Sequence, residues 1–279
     1  MMAGYRLLLA TVLAAATLVP LVGARAQTVE EAESALRTGR YQEAIDLFSR
    51  LARREPTSIP AARGHARALY VVGRYRRAEE VAREFSRRVP GSAELSNLLG
   101  QALYAQGAID QAETAFERSL AGPASDAVEA RLNLAVLHYE RGQVDRAMRE
   151  FDAFIDIYNR GRSLSSPELT AVGTAVRHLA RQDSRLYRDA LRAYDEAIAA
   201  DPSNLEPRVR AGELFLEKYN SADAAGELED VLQVNPAHPR ALLGKARQLR
   251  FDGAPGAMEM IERALETNPN YVEAHAFRA

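Results

Sequence analysis

Small and large apolar residues recur along this chain with two periods at once. The short one is an alanine, a bulkier apolar residue four positions on, and a third buried-type residue three beyond that. It reads Ala44, Phe48, Leu51, then Ala78, Ala82, Phe85, then Ala112, Phe116, Ser119, then Ala147, Phe151, Phe154. It continues as Ala190, Tyr194, Ala197, then Ala224, Leu228, Val231, and last Ala257, Ile261, Ala264. Spacings of four and seven keep side chains on one stripe of an α-helix, so each triplet predicts an amphipathic helix with a single buried face. The long period is the advance of the alanine column, by 34, 34, 35, 43, 34 and 33 residues. A unit of that size cannot bury its own apolar face, so neighbours must stack into an elongated solenoid.

Between these helices the polar punctuation predicts a partner helix in every unit. Small pairs such as Leu99-Gly100, Leu134-Ala135 and Ala211-Gly212 mark close contacts on the first helix of a unit. Gly39, Gly73, Gly107, Gly142 and Gly253 stand between first and second helix, where a left-handed residue is cheapest as glycine. Pro56, Pro90, Pro202, Pro236 and Pro269 end the second helices. Thr28 with Glu31, Asp126 with Glu129 and Ser203 with Glu206 have capping-box spacing, and Ser166-Pro167-Glu168 orders a cap, a first-turn proline and an acid. The reading is seven helical pairs, at approximately 28–56, 57–90, 91–124, 125–159, 160–202, 203–236 and 237–269, with a partial unit at 270–279. The step from Ala147 to Ala190 carries about nine extra residues. They predict a loop over Asn159–Ser166 and a long helix from Pro167 to about Arg181, acting as a hinge or as a plain surface insertion. Val272–Ala279 reads as an unaccompanied first helix, either a cap on the last apolar face or the start of a longer array.

The small pair, the turn glycine in Gly39-Arg40-Tyr41 and Gly73-Arg74-Tyr75, the alanine of the second helix and the terminal proline together resemble the tetratricopeptide repeat (TPR) family, over almost all of 27–279. Ala62, Ser96 and Arg131 replace that family's bulky aromatic early in the first helix, and Lys245 replaces a usual leucine. The resemblance implies an all-α, right-handed superhelix of about seven repeats plus the incomplete helix, whose first helices line a concave groove. The family's inward positions, ten, six and three before the turn glycine, are here Arg63, Arg67 and Tyr70, then Asn97, Gln101 and Tyr104, then Leu132, Val136 and Tyr139. Three stacked phenols flanked by Arg, Asn and Gln suit an extended protein or peptide partner; alternatively the tyrosines only seal the gaps between adjacent first helices. Asn133 with Arg63 and Arg67 resembles part of a carboxylate clamp whose later basic members are unmatched. The implied function is a non-enzymatic interaction scaffold. Ala211–Ser221, with Asn235-Pro236 and Asn268-Pro269, also resembles the repeats preceding the catalytic domain of peptidase-MA-like metallopeptidases. That leaves an alternative, the N-terminal TPR region of a larger exported enzyme.

Composition narrows the setting. Arg6, the apolar run Leu7–Val22 and Ala24-Arg25-Ala26 predict a signal peptide over 1–26, cleaved after Ala26, and hence an exported, periplasmic or cell-envelope protein. The run is short of the ~20 residues a span takes, so no stable membrane span is expected after cleavage. The chain has no cysteine, which removes disulfides, thiolate chemistry and a lipid-anchored start. Without Arg6 and Arg25 there remain 34 basic against 38 acidic residues, no basis for nucleic-acid binding. Charge is polarised, however: Arg50–Pro90 holds 11 Arg against four Glu, and Asp189–Asn235 holds 11 acids against four bases. Such fields could steer a partner, favour head-to-tail association or attract an anionic envelope polymer; the oligomeric state is left open.

No catalytic, metal or cofactor site emerges. None of the five histidines begins a His-Glu-x-x-His motif. Before Gly244-Lys245, Pro239 occupies the first glycine position of a phosphate-binding loop, and Ala246 follows where a hydroxyl is needed. Asp152 with Asp156, and Glu227 with Glu229 and Asp230, read as solvated faces. His138 falls on the packing face that Leu69 and Leu103 occupy in earlier repeats, which predicts a core role.

Overall fold

The structure, a computed structural model, describes residues 28–121, 127–160 and 163–279. Those residues form fifteen α-helices and one 3₁₀ turn. In order they are α1 (Val29–Arg37), α2 (Tyr41–Arg54), α3 (Ile59–Val71), α4 (Tyr75–Arg88), α5 (Ala93–Ala105), α6 (Ile109–Leu120), α7 (Val128–Glu140) and α8 (Val144–Asn159). Then come α9 (Ser166–Leu179), the 3₁₀ turn Ser184–Leu186, α10 (Tyr187–Ala200), α11 (Glu206–Glu217), α12 (Ser221–Val234), α13 (Pro239–Phe251), α14 (Ala257–Thr267) and α15 (Val272–Arg278). Odd-numbered helices are the first of each hairpin and pack on one another from α1 to α13, so the stack is an α-solenoid with an inner layer of first helices. It runs unbroken through the long step, because α9 packs on α7, α8, α10 and α11. The extra residues lie before α9 and in the 3₁₀ turn. The predicted signal peptide, Asp126 and residues 161–162 of the predicted loop lie outside the described residues.

Every predicted stripe points into the hairpin. Among the alanines, Ala44, Ala112, Ala147, Ala190 and Ala224 have no exposed surface, and Phe48, Phe151, Tyr194, Leu228 and Ile261 behind them are equally buried. Only Ala257 is partly open, since just one short helix follows its hairpin. At Phe116 the backbone opposite is bare, since any side chain at Gly100 would overlap its ring. His138 is fully buried between hairpins, with Nδ1 2.6 Å from a Glu150 oxygen and Nε2 3.2 Å from one of Glu113, so the core role is observed.

Two capping expectations need correction. Thr28 and Glu31 form their reciprocal box, but Ser203 and Glu206 do not. Ser203 donates both its N–H and its hydroxyl to Asp201, Asn204 accepts from the Glu206 N–H instead, and the Glu206 carboxylate is taken by Arg210 and Arg240. At α9 the cap is Ser165, one residue before the serine expected, and Glu168 accepts from both its N–H and its hydroxyl at 2.8 Å.

Beyond neighbour stacking, the ends of the array meet. Asn235, buried at the end of α12, donates from Nδ2 to the Tyr41 hydroxyl at 3.0 Å while its Oδ1 accepts from the Ala237 N–H at 3.2 Å. One hairpin later the pattern repeats: Asn268 donates to Tyr75 at 3.1 Å and accepts from Asn270 at 3.0 Å, and Asn270 donates to the Gly73 carbonyl at 3.0 Å. Gly39 and Gly73 lie at φ 80° and 75°, and a side chain at either would overlap the asparagine amide. These glycines therefore serve both as turn residues and as sockets, and the superhelix closes into one latched turn.

Candidate functional site

The inner layer presents the nine residues singled out by spacing on three successive helices: Arg63, Arg67 and Tyr70 on α3, Asn97, Gln101 and Tyr104 on α5, and Leu132, Val136 and Tyr139 on α7. They divide by what holds them. Arg63 bridges Glu33 at 3.3 Å and Glu94 at 3.2 Å, tying α3 to both flanking helices. Asn97 is buried, donates to Glu129 at 3.3 Å and accepts from Asn133 at 2.8 Å. Asn133 thus serves the wall itself. Leu132 is buried in the core. Tyr139 packs beside Phe151 and His178 and accepts from Arg181 at 3.1 Å, the guanidinium lying over its ring.

Arg67, Gln101 and Tyr104 are different. Arg67 is exposed, Gln101 and Tyr104 are half-buried, and none of their side chains makes a hydrogen bond or ion pair among the described residues. Tyr104 rests on the apolar cluster of Leu99, Leu103 and Phe116. Tyr70 lies 5.3 Å from the ring of Tyr75. Desolvation pushes its phenol up to about 12, although Arg240, from the far end of the array, pulls it down. The carboxyl of Glu129 is also raised, first by desolvation, with Arg67 opposing and the distant Glu206 reinforcing. Latching therefore brings late hairpins within Coulombic reach of early ones across the interior.

Sequence reasoning stopped its columns at α7 and missed the wall built by α9, α11 and α13. Arg240 pairs with Glu206 and with Glu213, the latter at 2.6 Å, and Arg177 pairs with Glu213 at 2.9 Å and with Glu217. Burial alone would raise the Glu206 carboxyl, but the Arg240 and Arg210 guanidiniums overcome it and hold it down at about 2. Glu213 is held low for the same reason, with Arg177 added. Three acids of the acid-rich 189–235 segment, Glu206, Glu213 and Glu217, are thus paired with arginines on the inner wall. Arg177, Glu213, Leu216, Glu217, Arg247, Arg250 and Phe251 line a cleft of about 490 Å³ there. The signal was available: Glu213 and Leu216, like Arg247 and Arg250, stand six and three residues before their turns.

Among the described residues no three His, Asp or Glu side chains gather as a metal site, and no helix is long and apolar enough to cross a membrane.

Family models described as tetratricopeptide repeat match residues 29–64, 63–127 and 103–159. The matched residues end before the last third of the chain. Among solved structures the chain is similar to the APC/C hetero-tetramer Cut9-Hcn1, at 13% identity and TM-score 0.58 over 88% of this chain and 46% of that one. It is similar to the human IFIT1 dimer with PPP-AAAA, at 16% identity and TM-score 0.57 over 88% and 61%. A third is TTC0263, a thermophilic TPR protein in Thermus thermophilus, at 22% identity and TM-score 0.52 over 66% and 96%. The chain spans about half to three-fifths of the first two. At these identities the likeness is one of fold. Among curated proteins none matches.

Proposed function

The chain is a tetratricopeptide repeat protein, and from that premise we propose that it is an exported scaffold that holds a protein or peptide partner against its inner wall and has no catalytic role. The repeats themselves imply a protein–protein interaction scaffold. The groove reading is supported by one contrast: Arg63, Asn97, Asn133 and Tyr139 spend their polar groups on the wall, whereas Arg67, Gln101 and Tyr104 beside them keep theirs free of any partner among the described residues. A guanidinium on α3 with an amide and a phenol on α5 offers donors to a peptide and a flat apolar face for a side chain.

Tyr104→Ala is the direct test. Loss of a partner captured by crosslinking in the exported compartment, with an unchanged melting temperature, supports docking. Loss of stability with capture intact assigns the ring to packing and removes the groove. Export rests on the pattern at 1–26, and N-terminal sequencing of the mature product checks it: a start at Gln27 is expected, and a retained Met1 contradicts it.

A further inference from the structure

Five hairpin turns place glycine in the left-handed region, at Gly39, Gly73, Gly107, Gly142 and Gly253, but the turn after α11 places Tyr219 there, at φ 58°. A bulky residue is strained in that conformation, and such strain points to a use for the side chain. Tyr219 is 80% exposed, so packing does not explain it. Its ring neighbour among the described residues is Phe251, itself 52% exposed, at 6.0 Å between centroids.

Phe251 also lines the inner-wall cleft, together with Arg247 and Arg250. Both arginines are exposed and neither pairs with a carboxylate among the described residues. Within the same set Arg247 has no hydrogen-bonding partner, and Arg250 lies over the ring of Phe277 at 3.9 Å. The acids of the cleft are already engaged: Glu213 and Glu217 by Arg177, and Glu213 again by Arg240. An incoming carboxylate therefore meets two guanidiniums that hold no carboxylate among the described residues, one of them resting on Phe277, beside two solvent-facing aromatic rings.

We propose that this cleft and the aromatic pair at its rim form a second binding site, for an extended acidic peptide carrying an aromatic side chain. The carboxylates pair with Arg247 and Arg250, where a guanidinium can offer two parallel N–H donors, and the aromatic residue covers Phe251 and Tyr219. The site rests on reading the inner helices as a docking wall, but it uses α11 and α13 and shares no residue with the groove over α3, α5 and α7.

The test is fluorescence anisotropy on the full mature chain with three dye-labelled octapeptides: Asp/Glu-rich with one Phe, the same with Lys for every acid, and the same acids with Ala for Phe. The first should bind at least about tenfold tighter than either control. In Arg247→Glu/Arg250→Glu its affinity should fall about tenfold or more. Tyr219→Gly should weaken it severalfold without lowering the melting temperature, because glycine suits that turn; this variant keeps a folding defect from being mistaken for a binding one. Equal binding of the three peptides, or no binding, overturns the site, as does affinity that survives the charge reversal. Affinity lost in Tyr104→Ala but kept in the arginine variants moves the peptide to the earlier helices, sinking this site and leaving the groove. A self-associating chain that the arginine reversal makes monomeric, with no peptide bound, would make a second copy the occupant and likewise overturn the peptide.

Discussion

At the scale of single residues, equivalent turn positions carry opposite demands. Gly73 needs both its positive φ and its missing side chain, whereas Tyr219 holds the same conformation with its side chain in solvent. Tyr219→Gly is expected to leave stability unchanged or raise it by up to about 1 kcal/mol, strain relief being partly offset by unfolded-chain entropy. Gly73→Ala should lower it by about 1–3 kcal/mol, through strain and overlap with Asn268 together. Urea titration of both variants checks the pair, and equal effects would contradict the distinction. Histidines give a second prediction. Burial lowers His65 to about 4, His178 to about 3 and His238 to about 4, with nearby arginines adding in each case. His238 shows a structural consequence: its Nδ1 accepts the Ala241 N–H at the start of α13, a bond that a protonated ring cannot make. Between those values and the unfolded value near 6.5 the unfolded chain binds more protons, so this stability is complete above about pH 6.5 and lost as pH falls toward 4. Each ring contributes at most about 1.4 kcal/mol per pH unit within that window. Glu129 and Glu140, whose carboxyls are raised by burial, act in the opposite sense at the acid end. The expected signature is a urea midpoint that declines from pH 7 to pH 5 and declines less in His178→Phe; a flat profile would exclude it.

At the scale of the helix, stability lies in where a backbone is allowed to come close. Gly100 faces the Phe116 ring, and Gly226 sits exposed on α12 with nothing near it. Gly100→Ala should cost about 1–3 kcal/mol by overpacking, while Gly226→Ala should add up to about 1 kcal/mol through helix propensity. Thermal melting of the two variants should therefore move in opposite directions. This level was largely legible in the sequence, because a stripe at spacings of four and seven depends only on helix geometry, and the alanine column repeated it seven times. The helix starts were less legible. A capping box is a local competition, and at Ser203 the neighbouring Asp201 wins the serine while two arginines from the helices win Glu206. The candidate wall was half legible: spacing found the helices and faces, but not that Arg63, Asn97 and Tyr139 would be consumed by neighbours from other hairpins. Side-chain pairing across hairpins leaves no periodic trace.

At the scale of the molecule, closure decides what the inner wall can meet. Residues 194 apart have no shared period, so no reading along the chain joins Asn235 to Tyr41, or Asn268 to Tyr75 one residue closer. In retrospect the code is visible: tyrosine follows the turn glycine by two at Tyr41 and Tyr75, whereas the same place holds Ile109 and Val144 in the next two hairpins. Tyr187 holds the equivalent place at the start of α10, but its ring lies against the Lys218 ammonium, and the asparagines take the phenols of the first two turns. Tyr41→Phe/Tyr75→Phe tests the latch more cleanly than changing the asparagines, whose side chains also accept the N–H groups of Ala237 and Asn270 within their own turns. Each substitution leaves a buried amide without its acceptor, a cost of about 1–3 kcal/mol that opening to water relieves. Opening breaks no stack between neighbouring hairpins, so helix content should stay constant while the turn springs apart. Because the chain lacks cysteine, spin labels on Arg40→Cys and Gln233→Cys report the gap without background. A short, narrow distance distribution in the parent that becomes long and broad in the double Phe variant would establish the phenol–amide pairs as the clasp. An unchanged distribution would mean that the repeats' own curvature holds the ends together, with the two tyrosines resting at a junction that packing alone maintains.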